Sequence, residues 1–222
     1  MKQYKAFLFD LNGTMIDDMH YHVKAWHRIF NELGASISME EMKSHSYGKN
    51  PEVIERVMPG RFTAEEKKVM SIEKEKQYQE EFRPHLALIK GLDTFLQKTS
   101  AAGIKMAIGS AAITMNIDFV LDGLNIRHYF DAIVSADDVI KSKPDPETYL
   151  KCAAQLNVAP EECLVFEDVP KGTESAMRAG MDCVVITTMH EEDEFDPANV
   201  LWVIKDYDND IFERIRDKKQ TA

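Results

Sequence analysis

Short apolar segments recur along the chain, and each of them ends in a polar residue. They cover residues 5–10, 105–110, 132–137, 163–168 and 183–188. Consecutive apolar positions rich in β-branched and aromatic side chains, over only a few residues, are typical of strands buried on both faces of a sheet. The pattern therefore predicts five buried strands.

Segments with helical periodicity separate these strands. They lie at residues 91–102, 113–122, 146–156 and 172–179. Strands that alternate with helices form βαβ units, in which the strands run parallel and the helices cover both faces of the sheet. The sequence therefore predicts an α/β fold with a doubly wound parallel sheet.

Residues 16–85 interrupt this alternation. They contain no convincing strand, and their helical stretches lie near residues 20–33, 38–45, 51–58 and 63–82. The simplest interpretation is a helical domain, residues 16–85, inserted after the first strand, with residues 1–15 and 86–222 forming the sheet domain. The last helical stretch is so highly charged that we expect a solvated helix with close charge pairs.

The composition indicates a globular protein. The chain has 222 residues, 44% of them hydrophobic, which is enough to bury a substantial core. No apolar segment is long enough to cross a bilayer, and the first ten residues run straight into a strand pattern without the features of a secretory signal. We expect a soluble, cytoplasmic monomer with no membrane partner. The three cysteines, Cys152, Cys163 and Cys183, are not closely spaced and are expected to pack in the core.

The charge of the chain limits its partners. The formal net charge is −11. A protein that binds nucleic acid over a large surface needs a basic face, so we expect no nucleic-acid partner. A small phosphorylated substrate stays compatible with this charge, because a metal ion and a few local groups dominate at short range.

Chemically useful side chains follow several of the predicted strands. The first strand ends at Asp10, the second at Ser110 and the fourth at Glu167 and Asp168, and Lys143 follows the third. Any one of them alone can serve as a helix cap or a surface residue. In an open parallel sheet, however, ligands bind beyond the carboxyl ends of the strands. The five residues together therefore predict a functional site at this edge.

Four short motifs contain these residues in a recognisable order. FLFDLNGT includes Asp10, IGS ends at Ser110, SKPDPE includes Lys143, and FEDVPKG includes Glu167 and Asp168. With the inserted helical domain, they resemble the haloacid dehalogenase superfamily, and within it the β-phosphoglucomutase-like branch with a helical cap. The resemblance covers essentially the whole chain. It implies Mg²⁺-dependent phosphoryl transfer in which the Asp10 carboxylate attacks phosphorus and forms an aspartyl-phosphate.

The resemblance also implies roles for individual residues. Mg²⁺ would be bound by the carboxylates of Asp10, Asp168 and Glu167 and by the backbone carbonyl of Asn12. Ser110 and Lys143 would hold the phosphoryl oxygens. Further substrate contacts would come from Ala111 beside Ser110, and from the cap residues His22, Lys49 and Lys74.

Asn12 departs from the family pattern. Relatives that hydrolyse or transfer phosphate carry an aspartate there, whereas an asparagine amide donates a hydrogen bond but has no proton to transfer at neutral pH. Three interpretations stay open: a histidine such as His22 replaces the missing acid, the substrate has a good leaving group such as a phosphoanhydride, or the chain is a weakly active phosphate-binding pseudoenzyme. Deamidation of an unhindered Asn12-Gly13 pair would restore the aspartate.

The cap motifs favour one activity over its neighbours. In the mutases a cap arginine grips the distal phosphate, but here the corresponding loop offers Lys49, which lacks a bidentate fork. A phosphonatase would use a cap lysine to form a Schiff base, but Lys143 and the Glu167-Asp168 pair resemble the sugar-phosphate branch instead. A dehalogenase would not need the acidic metal site. We therefore expect hydrolysis of a small phosphate ester such as a sugar phosphate, with a sugar phosphomutase as the alternative.

Overall fold

The computed structural model of the protein describes residues 3–208 and 210–217. The chain divides into two compact units. The core unit comprises Met1–Asp17 with Ala87–Ala222, and the helical unit comprises Asp18–Leu86. The chain thus leaves the core unit after its first strand and returns to it once.

The core unit is built on a parallel sheet. In the described residues it contains β1 (Ala6–Phe9), β2 (Lys105–Gly109), β3 (Ala132–Val134), β4 (Cys163–Glu167), β5 (Asp182–Ile186) and β6 (Val200–Ile204). The strand order is β3-β2-β1-β4-β5-β6, and every neighbouring pair is parallel. This is the doubly wound order in which the direction of winding reverses between β1 and β4. The predicted fold class is confirmed.

One set of helices forms the helical unit, and a second set packs on the sheet of the core unit. The helical unit contains α1 (Met19–Glu32), α2 (Met39–His45), α3 (Asn50–Val57) and α4 (Ala64–Phe82). The core unit continues with α5 (Leu92–Ala101), α6 (Thr114–Gly123), α7 (Glu147–Leu156), α8 (Pro170–Arg178) and α9 (Ile211–Asp217). The described helices include none that is both long enough and apolar enough to span a membrane.

The central strand β1 is buried on both faces, which explains its uninterrupted apolar sequence. Successive side chains of a strand point to opposite faces. Phe7 and Phe9 pack against Phe166 with ring centroids 5.4 and 4.7 Å apart, whereas Ala6 and Leu8 belong to the hydrophobic cluster on the other face. The three cysteines are buried, so their predicted place in the core is confirmed.

The long helix α4 differs from the solvated helix that its charge predicts. It begins with a capping box, in which Thr63 accepts a hydrogen bond from the Glu66 amide and Glu66 accepts one from the Thr63 amide. Lys74 and Glu75 are only 1% and 3% exposed. The prediction of a solvated helix was therefore wrong for one face of α4. The two charges can be buried there because Lys74 donates a hydrogen bond to Glu75.

The sequence interpretation missed two elements, β6 and α9. The segment VLWVI forms β6 at the edge of the sheet, where four of its five residues are only partly buried. Its β-branched and aromatic residues carry a usable strand signal. The short helix α9 follows and buries Ile211, Phe212 and Ile215.

Candidate active site

The site lies where the winding of the sheet reverses. Asp10 directly follows β1, Glu167 is the last residue of β4, and Asp168 comes next. Because β1 and β4 are parallel neighbours, their carboxyl ends carry the three acids to one place. Each acid offers a ligand atom, and these atoms lie within 4.8 Å of one another. All three residues are buried.

Lys143 joins two of these acids. Its ammonium donates to Asp10 Oδ1 and to Glu167 Oε1, both at 2.6 Å. The side chain is 5% exposed, and its nitrogen lies 4.6 Å from the centre of the Tyr149 ring. A buried charge needs a partner, and here the lysine has two. It is therefore a structural part of the acidic site and not a surface residue before a turn.

Glu167 uses both of its oxygens on protein donors. Oε1 also accepts from the Tyr149 hydroxyl at 2.7 Å, and Oε2 accepts from the amides of Asp168 and Val169 at 3.0 and 3.3 Å. A Cβ at Gly172 would lie 1.9 Å from Glu167 Cδ, so the glycine leaves room for this carboxylate. Glu167 thus serves first as a fixed counterion of Lys143, and its role as a metal ligand stays a prediction.

Asp168 has the character of a metal ligand. Its Oδ1 accepts from the Thr14 hydroxyl at 3.1 Å. Its Oδ2 is buried and finds no hydrogen-bond partner among the described residues. An unpaired buried carboxylate oxygen is costly, and a cation satisfies it. Together with Asp10, it forms a hard oxygen donor set that suits a divalent cation.

The electrostatics of the site indicate a shortage of positive charge. Burial would lower the pKa of Lys143, but the adjacent Asp10 and Glu167 carboxylates outweigh it and raise that pKa. Burial, opposed by Lys143 and reinforced by Glu167, raises the pKa of Asp10 to about 7. Burial and the neighbouring acids Glu167 and Asp10 raise the pKa of Asp168 as well. One ammonium does not neutralise three buried carboxylates.

This imbalance predicts a pH-dependent stabilisation by Mg²⁺. Because burial raises the pKa of Asp10 from an ordinary 3.8 to about 7, the native state binds more protons than the unfolded chain between these values. The free energy of unfolding should therefore fall as the pH rises from about 4 to about 7 in the absence of metal. Mg²⁺ favours the ionised carboxylates, so saturating Mg²⁺ should raise the melting midpoint by about 5 °C or more near pH 8 and by less near pH 5.

Thermal melts with MgCl₂ and with a chelator measure this effect. Asp168→Asn should remove most of the shift near pH 8. Asp122→Asn is the matched control, because Asp122, in the last turn of α6, is exposed and pairs with Arg127 outside the acidic site. A shift equally large at both pH values, or unchanged in Asp168→Asn, would contradict the assignment of the acids as the cation site.

The other predicted core residues lie along the same loops. Ser110, 1% exposed, directly follows β2, and its hydroxyl oxygen accepts from the Ala112 amide at 3.1 Å. Ala111, between them, is partly exposed. Asn12 is partly buried in the loop after Asp10. The Gly13 amide, which would have to attack the Asn12 side chain for deamidation, donates to the Ile16 carbonyl at 2.8 Å. This bond disfavours deamidation.

The predicted substrate residues of the helical unit include a buried pair. His22 and Lys74 are 8% and 1% exposed, and Lys74 Nζ hydrogen bonds with His22 Nδ1. Lys74 also donates to Glu75 at 2.9 Å, and His22 Nε2 lies 3.3 Å from Asp18 Oδ2. Burial lowers the pKa of Lys74 although Glu75 opposes this shift.

Lys49 is the third predicted substrate residue of the helical unit. It is the partly exposed residue before α3, where its amide donates to the Glu52 carboxylate at 2.9 Å. The contacts within the unit explain how His22 and Lys74 are held. The substrate-binding roles of His22, Lys74 and Lys49 stay predictions.

Sequence reasoning missed two residues of the acidic site, Thr14 and Tyr149. Thr14 belongs to the motif that contains Asp10, so the sequence places it near the site. Its hydrogen bond to Asp168 is seen only in the structure. Tyr149 fits the apolar face of its helix, and only the fold shows its hydroxyl donating to Glu167.

The fold and the site define a class of protein. A doubly wound parallel sheet carries a buried acid, a lysine and an acidic pair at its switch point, which suits a divalent cation and an anionic substrate. The model of the haloacid dehalogenase-like hydrolases matches residues 7–186, and the chain belongs to this family. The family predicted from the motifs is confirmed.

The chain is similar to relatives that are named as a phosphatase and as a mutase. The chain is 28% identical to fructose-1-phosphate phosphatase YqaB of Escherichia coli over 82% of this chain and 96% of the relative. It is 30% identical to β-phosphoglucomutase of Bacillus subtilis, over 81% and 82%. The crystal structure of β-phosphoglucomutase from Clostridium difficile superimposes with a TM-score of 0.85, at 27% identity and 97% coverage of both chains.

Proposed function

We propose that this chain is a Mg²⁺-dependent phosphatase that hydrolyses a small phosphate ester, such as a sugar phosphate, through an aspartyl-phosphate on Asp10. The observation that carries the proposal is the contact of the Lys143 ammonium with Asp10, beside an Asp168 oxygen that has no hydrogen-bond partner among the described residues. The substrate class is supported by the similarity to the phosphatase YqaB and to β-phosphoglucomutase, which are both named for sugar phosphates.

The residues of the site would have different roles in the reaction. Asp10 and Asp168 would hold the metal, with the Asn12 carbonyl and Glu167 as further oxygen donors. When bound, Mg²⁺ reduces the repulsion between an anionic nucleophile and an anionic phosphate. Lys143 donates to one oxygen of the Asp10 carboxylate, and its positive charge would stabilise the additional charge of the transition state.

Two displacements then complete the reaction. In the first, an Asp10 oxygen forms a bond to phosphorus, the bond from phosphorus to the ester oxygen breaks, and the alcohol leaves with a proton from its surroundings. In the second, water attacks the aspartyl-phosphate, inorganic phosphate is released with loss of one water proton, and the Asp10 carboxylate is regenerated. Covalent catalysis of this kind divides one difficult step into two easier ones.

Asn12 limits the first displacement. An alcohol leaving group needs a proton, and the asparagine amide supplies only a hydrogen bond. General acid catalysis is worth about a hundred- to ten-thousandfold in rate. Turnover of a sugar phosphate should therefore be slow compared with a relative that carries aspartate at this position.

A mutase is the second candidate, favoured by the similarity to β-phosphoglucomutases. A mutase must grip a second phosphate, for which a bidentate arginine is well suited. In the helical unit, Arg56 donates to the carbonyls of His45 and Tyr47 at 2.7 and 3.1 Å, and its guanidinium stacks on the Tyr47 ring. Because these contacts already engage Arg56, the phosphatase is the better supported function.

A substrate panel tests the proposal. The purified protein should release inorganic phosphate from at least one of a series of sugar monophosphates, at a rate at least about a hundredfold higher with Mg²⁺ than with a chelator. Chromatography of the sugar products separates hydrolysis from isomerisation to another sugar phosphate. Mg²⁺ binding without phosphate release or isomerisation would overturn the proposal in favour of a phosphate-binding pseudoenzyme.

A further inference from the structure

The loop after Asp10 presents three consecutive buried carbonyl groups, those of Gly13, Thr14 and Met15. Thr14 and Met15 are 0% exposed. Buried carbonyl groups outside regular helices and strands still need donors. Here each of the three carbonyl groups accepts from a segment that is distant in the sequence, and all of these segments belong to the core unit.

Two of the donors are side chains near the end of the core unit. The Thr188 hydroxyl, just beyond β5, donates to the Gly13 carbonyl at 2.7 Å. The Tyr207 hydroxyl, beyond β6, donates to the Thr14 carbonyl at 3.0 Å. The third donor is the Ile89 amide, which bonds to the Met15 carbonyl at 2.9 Å. The position of the loop is thus determined by residues far along the chain.

Tyr207 is itself rigidly placed. It is 1% exposed, and its amide donates to the Lys90 carbonyl at 2.9 Å. Its ring packs against Phe95 and Phe166 with centroids 5.3 and 5.9 Å apart. Gly91 has a φ of +83°, and a Cβ there would lie 1.9 Å from the Tyr207 carbonyl oxygen, so the two backbones are in close contact. A hydroxyl held in this way imposes a fixed position on its acceptor.

The loop controls two groups of the acidic site. It carries the Asn12 carbonyl, and its Thr14 hydroxyl donates to Asp168. Groups that orient the residues around a metal affect its affinity even though they do not touch it. Both Thr188 and Tyr207 lie beyond residues 7–186, the part matched by the family model, so the family match assigns them no role.

We propose that Thr188 and Tyr207 are positioning residues, which hold the loop after Asp10 in the arrangement that binds the cation. The expected effect of these residues on catalysis rests on the proposed function, whereas their expected effect on the loop does not. Removing either hydroxyl removes its hydrogen bond to the loop and loosens the loop. The metal affinity then falls, whereas substrate recognition by Ser110 and Lys143 is retained.

Tyr207→Phe and Thr188→Val test this inference, because each removes one hydroxyl and keeps the size of the side chain. Each variant should weaken Mg²⁺ binding about tenfold, measured by calorimetric titration. In activity assays at a fixed Mg²⁺ concentration, kcat should fall while the KM for the phosphate ester changes little. Hydrogen exchange of the metal-free protein should become faster at residues 13–16.

The chain offers matched controls for both changes. Tyr4→Phe removes a phenol hydroxyl that donates to Asp182, the first residue of β5. This bond lies at the amino ends of the parallel strands, whereas the acidic site lies at their carboxyl ends. Thr99→Val removes a buried hydroxyl that donates to the Phe95 carbonyl at 2.7 Å, the same distance as in the Thr188 bond. Neither control should change Mg²⁺ affinity or the exchange of the loop.

Two results would overturn the inference. One is unchanged Mg²⁺ affinity and unchanged loop exchange in both variants. The other is an equal loss of affinity in the controls, which would indicate general destabilisation. If Tyr207→Phe does not fold, Thr188→Val decides the question alone. If the wild-type protein shows no phosphatase activity, the proposed function fails, whereas metal titration and hydrogen exchange still test the loop.

Discussion

Replacing Asp10 by Asn should reduce Mg²⁺-dependent phosphate release by at least about a thousandfold, since loss of a nucleophile removes the covalent route and not one contact among several. The variant should fold. It removes one of three buried carboxylates that compete for the single Lys143 ammonium, and the Asn side chain has nearly the same shape. Initial rates on the best substrate of the panel, with circular dichroism to verify folding, measure the effect.

Asp168→Asn separates loss of the nucleophile from loss of the metal. Both variants lack a predicted metal ligand, but only Asp10→Asn lacks the attacking oxygen. Raising the Mg²⁺ concentration should recover part of the activity of Asp168→Asn and none of the activity of Asp10→Asn. Equal recovery in the two variants would show that Asp10 contributes only to metal binding, and the covalent mechanism would then be wrong.

Replacing Asn12 by Asp should increase the rate on a sugar phosphate by about a hundredfold or more, because a carboxyl group can protonate the leaving alcohol and activate the attacking water. The gain should be much smaller for a substrate with a good leaving group, such as an aryl phosphate or a phosphoanhydride, which needs little acid assistance. The ratio of the two gains is therefore the informative quantity.

The leaving-group comparison also distinguishes the interpretations of Asn12. A large gain confined to sugar phosphates indicates that the remaining machinery is intact and lacks only the acid. Equal gains for both leaving groups would contradict a role in proton transfer. No gain with either substrate would indicate that another group already supplies the proton, and would remove Asn12 as the cause of slow turnover.

The strand ends explain why much of the acidic site could be predicted. In a parallel sheet, each apolar segment ends at the same edge, so the strand assignment alone placed Asp10, Glu167 and Asp168 at one edge. Their closeness also depends on β1 and β4 being neighbours, which the structure shows. Lys143 is farther from its strand, and the motif SKPDPE was needed to place it. The structure then adds its two partners, Asp10 and Glu167.

Other contacts depend on the tertiary structure alone. Thr188 and Tyr207 reach the loop after Asp10 across 175 and 193 positions of the chain, and no local pattern encodes such a pairing. The burial of Lys74 and Glu75 follows from charges that satisfy each other within the helical unit, whereas charge periodicity predicts exposure. The strand β6, by contrast, has a local signal that the interpretation overlooked.

The most direct test of the central claim is to look for the phosphoryl group on Asp10. The protein is mixed with substrate and Mg²⁺, quenched in acid within one turnover and digested, and the peptide containing Asp10 is examined by mass spectrometry. We expect one phosphoryl group on Asp10, absent when a chelator replaces Mg²⁺ and absent in Asp10→Asn. Phosphate release without any phosphorylated peptide under single-turnover conditions, or a phosphoryl group on a different residue, would contradict the account.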